Sequence, residues 1–459
     1  MTELQDAAPF RRADIRVFRF TRCGFDAASG VAELAYAFDD GPELVERVRF
    51  PGAPFALDAA RAAAVQRALR LLHLVAGVSY YKAAVPPAIA VEGEPLDAPT
   101  AALLTTIYEQ GLGEFAYRNG LSLHGRIRFA AAAPAAAAAP ALGLSPRALT
   151  AIGGGKDSLV SIESLRDAGV AQTVAWIGNS PLIAACAART GLATLNVARE
   201  LDPTLFGYNR QGAYNGHIPV TAINSAVLVL AALLADHDRV VFSNERSASY
   251  GSLIPGTGEV NHQWSKGWEF ERAFGAHVQQ AIAADLRYFS LLRPLSELAV
   301  ARRFARLLGY DQHFSSCNRN FHILGSRPAN RWCGQCPKCH FVFLALAPFM
   351  PKPRLLAIFG RNLLDDPAQA GGFDALIEYR EHKPFECVGE ARESRAALAL
   401  LAARPEWRED RLVQRFATEI QPQLDPATLD LAALLAASGE HRIPSALLDR
   451  LGEDFRPRR

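Results

Sequence analysis

Three stretches near the start of the chain, IRVFRFTRCGFD, VAELAYAFDDGPE and LVERVRFPG, alternate apolar and polar positions with a period of two. That period produces strands with one buried and one wet face. DDGPE supplies turn chemistry before the third stretch, so a small antiparallel sheet is predicted. Apolar residues then recur at helical spacing over Ala59 to Leu74 and Ala101 to Gln110. AAAPAAAAAP, residues 131–140, has two prolines and no periodicity, and reads as a linker or surface loop. Beyond it the pattern changes. Short apolar runs at Leu149 to Ile152, Thr173 to Ile177, Ala193 to Val197, Val240 to Ser243 and Tyr288 to Leu292 are separated by helical segments, notably Pro219 to Ala235 and Lys266 to Ala284. Alternation of this kind predicts an α/β fold with a doubly wound parallel sheet, whose ligands sit at the carboxyl ends of the strands. The expected organisation is an N-terminal α+β domain over 1–130, a linker over 131–146, the α/β domain over 147–350 and a helical C-terminal region over 351–459. In that last region, DPATLDLAALLAASG carries a helix start at Asp425 and Pro426 and a glycine stop.

One strand-to-helix junction holds chemistry. ALTAIGGGKDSLV, residues 148–160, places three glycines, Lys156, Asp157 and Ser158 between a buried strand and a helix. Glycine lets the backbone approach an anion, and the first helical turn adds a partial positive charge. A plain tight turn needs glycine but neither lysine nor aspartate. The spacing is not that of a Walker A loop or of the dinucleotide fingerprint. Lys156 suits neutralisation of a phosphate leaving group. Asp157 reads either as a favourable helix-start carboxylate or as a Mg²⁺ ligand, and Ser158 as a cap or a phosphate contact.

Composition narrows the class. The 459 residues carry a formal net charge of +2 with basic and acidic positions intermingled, which offers no nucleic-acid surface and no patch for an anionic membrane. No apolar run approaches the roughly 18 residues of a membrane span, and MTELQDAAPFRRAD lacks a signal-peptide core, so a cytoplasmic protein is expected. Seven cysteines include CGQCPKC. Cys317, Cys333, Cys336 and Cys339 suit a closed tetrahedral zinc site, with iron–sulfur ligation as the alternative, whereas Cys23 and Cys186 read as reduced core residues.

Other polar groups sit where strand ends meet helices. Asn215 and His217 precede the helix at Pro219, and His217 is either a hydrogen-bonded surface histidine or a proton shuttle. Asn244, Glu245 and Arg246 follow the strand ending near Ser243; Glu245 and Arg246 are either an ion pair or a base and an anion clamp. NHQWSKGWEF puts His262, Trp264 and Lys266 on a candidate lid, and SYYK and KPFECVG, residues 79–82 and 383–389, read as substrate contacts or core.

GGGKDS resembles the loop of the PP-loop ATP pyrophosphatases, usually Ser-Gly-Gly-x-Asp-Ser, with Gly153 in place of the serine. LLRPLSELAVARRFARLLG and the four cysteines resemble the deazaguanine nitrile branch of that superfamily, although its helix lysine is Val300 here. GVSYYK, NGHIPVTAINS, SNERSAS, CGQCPKC and KPFECVG are together similar to the MurL family of UDP-N-acetylmuramoyl-L-alanyl-L-glutamate epimerases. The resemblance implies ATP and Mg²⁺ held by Gly153, Gly154, Gly155, Lys156, Asp157 and Ser158. By their places at strand ends and helix starts, Lys156, Asp157, His217 and Glu245 are the expected catalytic residues and Asn215, Asn244, Arg246, His262 and Lys266 the expected substrate contacts; the resemblance adds a UDP-muramoyl dipeptide as substrate and a structural zinc on the cysteines. The implied reaction adenylates the terminal glutamate, releases AMP and pyrophosphate, and inverts Cα. The rival is another PP-loop adenylating enzyme, of the nitrile synthase or tRNA-modification type. No matched thiol pair stands outside the metal cluster, so activation is expected from ATP rather than from cysteines.

Overall fold

Alternating sequences form the first sheet as strands Val17–Asp26, Val31–Phe38 and Leu44–Arg49, paired antiparallel in sequence order. The computed structural model describes residues 10–134, 137–254, 258–320, 328 and 330–456, with the side chains of 252–258 left aside. DDGPE forms the turn between Phe38 and Leu44, as its residue types require. Phe18, Phe20, Tyr36 and Leu34 are buried on the inner face, and the helix Ala59–Ala76 carries Leu69, Leu72 and Val75 into the same core. Asp58 caps that helix by accepting from Arg61 N–H at 2.7 Å.

The chain divides into two interleaved compact units: 1–145, 196–238 and 273–287 make the first, and 146–195, 239–272 and 288–459 the second. Within the first, Ala198 to Glu200 pair antiparallel with Arg47 to Arg49, and Val17 to Phe20 pair parallel with Ala88 to Val91. The alanine–proline stretch is not wholly loop. Ala131–Ala133 is a short strand parallel to Leu96–Asp97, because a brief extended ladder satisfies backbone groups without needing side chains to pack; residues 135 and 136 lie outside the described residues.

In the second unit the strand Ala148–Ala151 lies between Gln172–Ile177 and Arg239–Phe242, parallel to both. The next strand in sequence goes to one side and a later one to the other. Strand order therefore reverses at Ala148–Ala151, and the reversal opens a crevice at its carboxyl end. Gly153 to Ser158 fill that end and lead into the helix Lys156–Asp167. Arg287–Ser290 comes next in order, beyond Arg239–Phe242. The segment expected as one helix over Lys266 to Ala284 is helical from Trp268 to Ile282, an α-helix Trp268–His277 continued by a π turn Val278–Ile282, and Gly267 parts it from a 3₁₀ turn Trp264–Lys266. The C-terminal region is a series of short helices; Asp425 caps a 3₁₀ turn at Pro426–Leu429, and Asp430 caps Leu431–Leu435.

One fully buried carboxylate ties three of these pieces together. Glu393, in the helix Ala391–Ala402, accepts from Ser247 Oγ at 2.6 Å, from Leu298 N–H at 3.1 Å and from Glu390 N–H at 3.0 Å. Removing it strands two buried donors and one half-buried one. Glu393→Ala is expected to cost about 3 kcal/mol or more in urea unfolding, with Glu393→Gln, which keeps one acceptor, costing less. A loss under about 1 kcal/mol for the alanine variant would mean the donors find other acceptors.

Candidate active site

The phosphate-type loop is shaped by two glycines. Gly154 has φ +78°, and a Cβ on Gly155 would meet Ser316 Oγ at 2.6 Å. The Gly154 carbonyl accepts from Ser315 N–H at 2.9 Å, which pins the turn from outside. Ser158 Oγ donates to the Gly155 carbonyl at 3.1 Å and closes the first helical turn.

Lys156 is buried, not a mobile surface cation. Its Nζ donates to Asp157 at 2.5 Å and also to Glu297, the first residue of the helix Glu297–Phe304. Burial alone would lower the lysine's pKa, but the two carboxylates outweigh it and the net direction is up. Glu245 is also buried. Burial, then the charge on Asp157, pushes its carboxyl up, against the pull of Lys156 and Lys266. Glu297 is driven to about 8 by burial first, Lys156 opposing while Glu245 and Asp157 add to the rise. Asp157, Glu245 and Glu297 thus crowd the Lys156 ammonium, with Lys266 and Lys338 as the further cations that act on Glu245 and Glu297. Sequence reading did not select Glu297. Its only local signal is Ser296, which caps the helix by accepting from Ala299 N–H at 3.1 Å and makes Glu297 look like an ordinary first-turn acid.

Arg293 locks the backbone around these groups. Its guanidinium is 1 % exposed and donates to Glu271 at 2.9 Å, to the Glu245 carbonyl at 2.7 Å and to the Lys266 carbonyl. Trp264 and Ser265 are buried, so this stretch is packed rather than a free lid. Asn244 Nδ2 donates to Ser290 Oγ at 3.0 Å. Arg246 donates to the carbonyls of Ala436 and Leu434 at 3.1 and 3.2 Å, so its guanidinium anchors the C-terminal region. His262 hydrogen-bonds Cys387, and Lys266 Nζ donates to Cys387 Sγ at 3.1 Å.

Asn215 and His217 belong to the first unit. There Lys82 Nζ donates to Asn215 Oδ1 at 2.6 Å, and burial lowers this lysine to about 8. His217 Nδ1 lies 3.8 Å from a Glu114 carboxylate oxygen. Of SYYK, Tyr80 and Tyr81 are core and Lys82 is the buried cation.

The four cysteines Cys317, Cys333, Cys336 and Cys339 converge, all sulfurs lying within 4.8 Å of one another. Three separations are 3.5, 3.7 and 4.0 Å. A tetrahedral ion with bonds of about 2.3 Å needs sulfurs about 3.8 Å apart, so the spacing fits one ion, whereas a multi-iron cluster spreads its thiolates further. Backbone N–H groups of Cys333 and Gln335 donate to Cys317 and Cys333 sulfurs, both at 3.4 Å, as ligand thiolates require. Among the described residues Cys186 is fully buried and outside this group, as a core thiol.

Two outcomes follow from this geometry. Cys336→Ser should remove the metal by elemental analysis, and should weaken nucleotide binding, because Ser315 joins the Cys317 segment to Gly154. For Glu297, the folded state holds its proton up to about 8 whereas an ordinary glutamate releases it near 4.5. Its contribution to stability is therefore fully present below about 4.5 and is lost as pH rises toward 8. Glu297→Gln should flatten that slope, its unfolding midpoint gaining on the native protein's between pH 5 and 8; parallel profiles would show that Glu297 titrates normally.

Sequence profiles of the MurL N-terminal domain and the MurL C-terminal domain match residues 9–291 and 313–430. A protein of Xanthomonas oryzae pv. oryzae named UDP-N-acetyl-alpha-D-muramoyl-L-alanyl-L-glutamate epimerase is 71 % identical over 446 residues, covering 97 % of this chain and 99 % of its own. Proteins of the same name from Salinispora tropica and a Micromonospora species are 42 % and 43 % identical, over 98 % and 95 % of this chain and 98 % and 97 % of theirs. Matches of this extent, at both domains and over nearly the full length, mean that the chain belongs to the MurL family of epimerases.

Proposed function

We propose that the chain inverts the terminal glutamate of UDP-N-acetylmuramoyl-L-alanyl-L-glutamate, the activity for which its relatives are named, in the synthesis of peptidoglycan precursors, and that it does so by ATP-dependent adenylation in a PP-loop site. The observation that carries this reading is the buried Lys156 between Asp157 and Glu297 at the carboxyl end of a parallel strand. A buried ammonium among three acids beside a glycine turn suits a polyphosphate with its magnesium better than any neutral ligand.

Removing an α-proton from a free carboxylate places a second negative charge beside the first. Joining that carboxylate to AMP removes the first charge and makes the α-proton far easier to take. Gly153, Gly154 and Gly155 present amides to the outer phosphates, and Lys156 balances the charge of departing pyrophosphate. Asp157, with Glu245 or Glu297, would hold Mg²⁺, which would supply charge neutralisation for the phosphates. Because the glutamate nitrogen is already acylated, the activated group can close to an oxazolone, whose carbanion is delocalised over the ring. Ring closure expels AMP as the amide oxygen takes its place on the acyl carbon; once a proton has returned to the opposite face of Cα, water opens the ring and frees the D-glutamyl product. The cysteine group holds a structural zinc and takes no part in these steps. No described helix is long and apolar enough to cross a membrane, which suits a substrate free in the cytoplasm.

In D₂O, the reaction is expected to give one Cα deuterium, one AMP and one pyrophosphate per inverted centre. Asp157→Asn should lower pyrophosphate release by about 100-fold or more. Formation of ADP, or inversion without isotope uptake, would overturn the scheme.

A further inference from the structure

KPFECVG and NHQWSKGWEF meet at one sulfur in the second unit. Lys266 Nζ donates to Cys387 Sγ at 3.1 Å, His262 hydrogen-bonds the same sulfur, and Lys338 Nζ donates to the Cys387 carbonyl. Lys266 and His262 thus contact the sulfur while Lys338 holds the backbone beside it, and Cys387, Lys266 and Lys338 are each half-buried.

A packing cysteine has different surroundings. Cys186 is buried among apolar groups, and burial pushes its thiol up to about 12. Burial pushes Cys387 in the same direction, but Lys266, Lys338 and His262 reverse it and hold the thiol well below its ordinary range. Cys387 is also outside the four-cysteine group. The charge network that surrounds it is continuous with the phosphate loop: Lys266 feels Glu245 and Asp157, and Lys338 acts on Glu297. Glu245, the base expected from sequence, is pushed up by burial and by Asp157 and tends to keep its proton, which makes it the poorer acceptor.

We propose that the Cys387 sulfur, held in an ion pair by Lys266, is the base that takes the α-proton of the activated glutamyl group. The assignment rests on the epimerase reading above. In the step, an S–H bond forms as Cα–H breaks, and the C–H electron pair moves into the adjoining acyl carbonyl or oxazolone ring. The neutral thiol passes its proton to water, and a proton from water adds to the opposite face of Cα. Charge balances, because the thiolate's negative charge moves to the substrate beside Lys266 and returns on reprotonation.

The test uses the full chain with ATP, Mg²⁺ and the UDP-muramoyl dipeptide in D₂O. Cys387→Ser and Cys387→Ala are expected to lower Cα deuteration by about 100-fold or more while pyrophosphate release falls by less than about 10-fold. A loss of deuteration under about 10-fold, or an equal loss in both readouts, would overturn the assignment. Where the variants fail to fold by circular dichroism, the native protein is alkylated with iodoacetamide and mapped by mass spectrometry. Labelling at Cys387 should be slowed by substrate and should abolish deuteration in proportion; full labelling with deuteration intact would overturn the proposal. If the unmodified protein deuterates Cα without forming AMP, adenylation fails as a reading while the cysteine assignment is still decided by its own variants.

Discussion

The second unit depends on keeping an ammonium out of water. Lys156 is 2 % exposed, and burial of a single uncompensated charge is prohibitive. Its compensation comes from one local acid, Asp157, and one distant acid, Glu297. The pairing joins the helix after the glycine turn to the helix Glu297–Phe304, and Glu393 in turn bonds the Leu298 amide beside it. One buried ammonium and one buried carboxylate thus fix the relative placement of three helices. Lys266 and Lys338 add positive charge toward Glu245 and Glu297, so the network spans five charged side chains besides Lys156, and Asp157's pair with it is only its innermost contact.

The cysteine group is tied to the same machinery at two points. Ser315, whose hydroxyl accepts from the Cys317 amide at 3.1 Å, donates its own amide to Gly154. Lys338, between Cys336 and Cys339, reaches the carbonyl of Cys387. One knuckle of backbone therefore braces both the anion turn and the segment 383–389. Arg293 does the matching work on the other side by bonding the carbonyls of Glu245 and Lys266. Lys156 and Asp157 stand on the first turn of one helix and Glu297 on that of another, whereas Glu245 and Lys266 are held through their carbonyls by Arg293.

What could be read from sequence was what local pattern records. The apolar runs at Leu149, Thr173 and Val240 became parallel strands within a residue or two, and GGGKDS fell at a strand end because strand, glycine and helix signals are contiguous. The close cysteine spacing of CGQCPKC likewise announces convergence. Glu297, Glu393 and Cys387 were silent for the opposite reason. Each acquires its environment from residues distant in sequence, Lys156, Ser247 and Lys266 respectively, and no periodicity encodes such a meeting. The helix expected from Lys266 starts two residues later, at Trp268, because Gly267 separates it from the preceding 3₁₀ turn.

The interleaving of the two units bears on how the protein comes off the ribosome. The first unit takes its last segment from residues 273–287, so no N-terminal fragment ending before that point contains all of its parts. The strand Ala193–Glu200 begins in one unit and finishes in the other, which leaves no seam at which a shorter recombinant piece can be cut. A nascent chain of this design has to wait, with early strands lacking their distant partners, until most of its length has been synthesised.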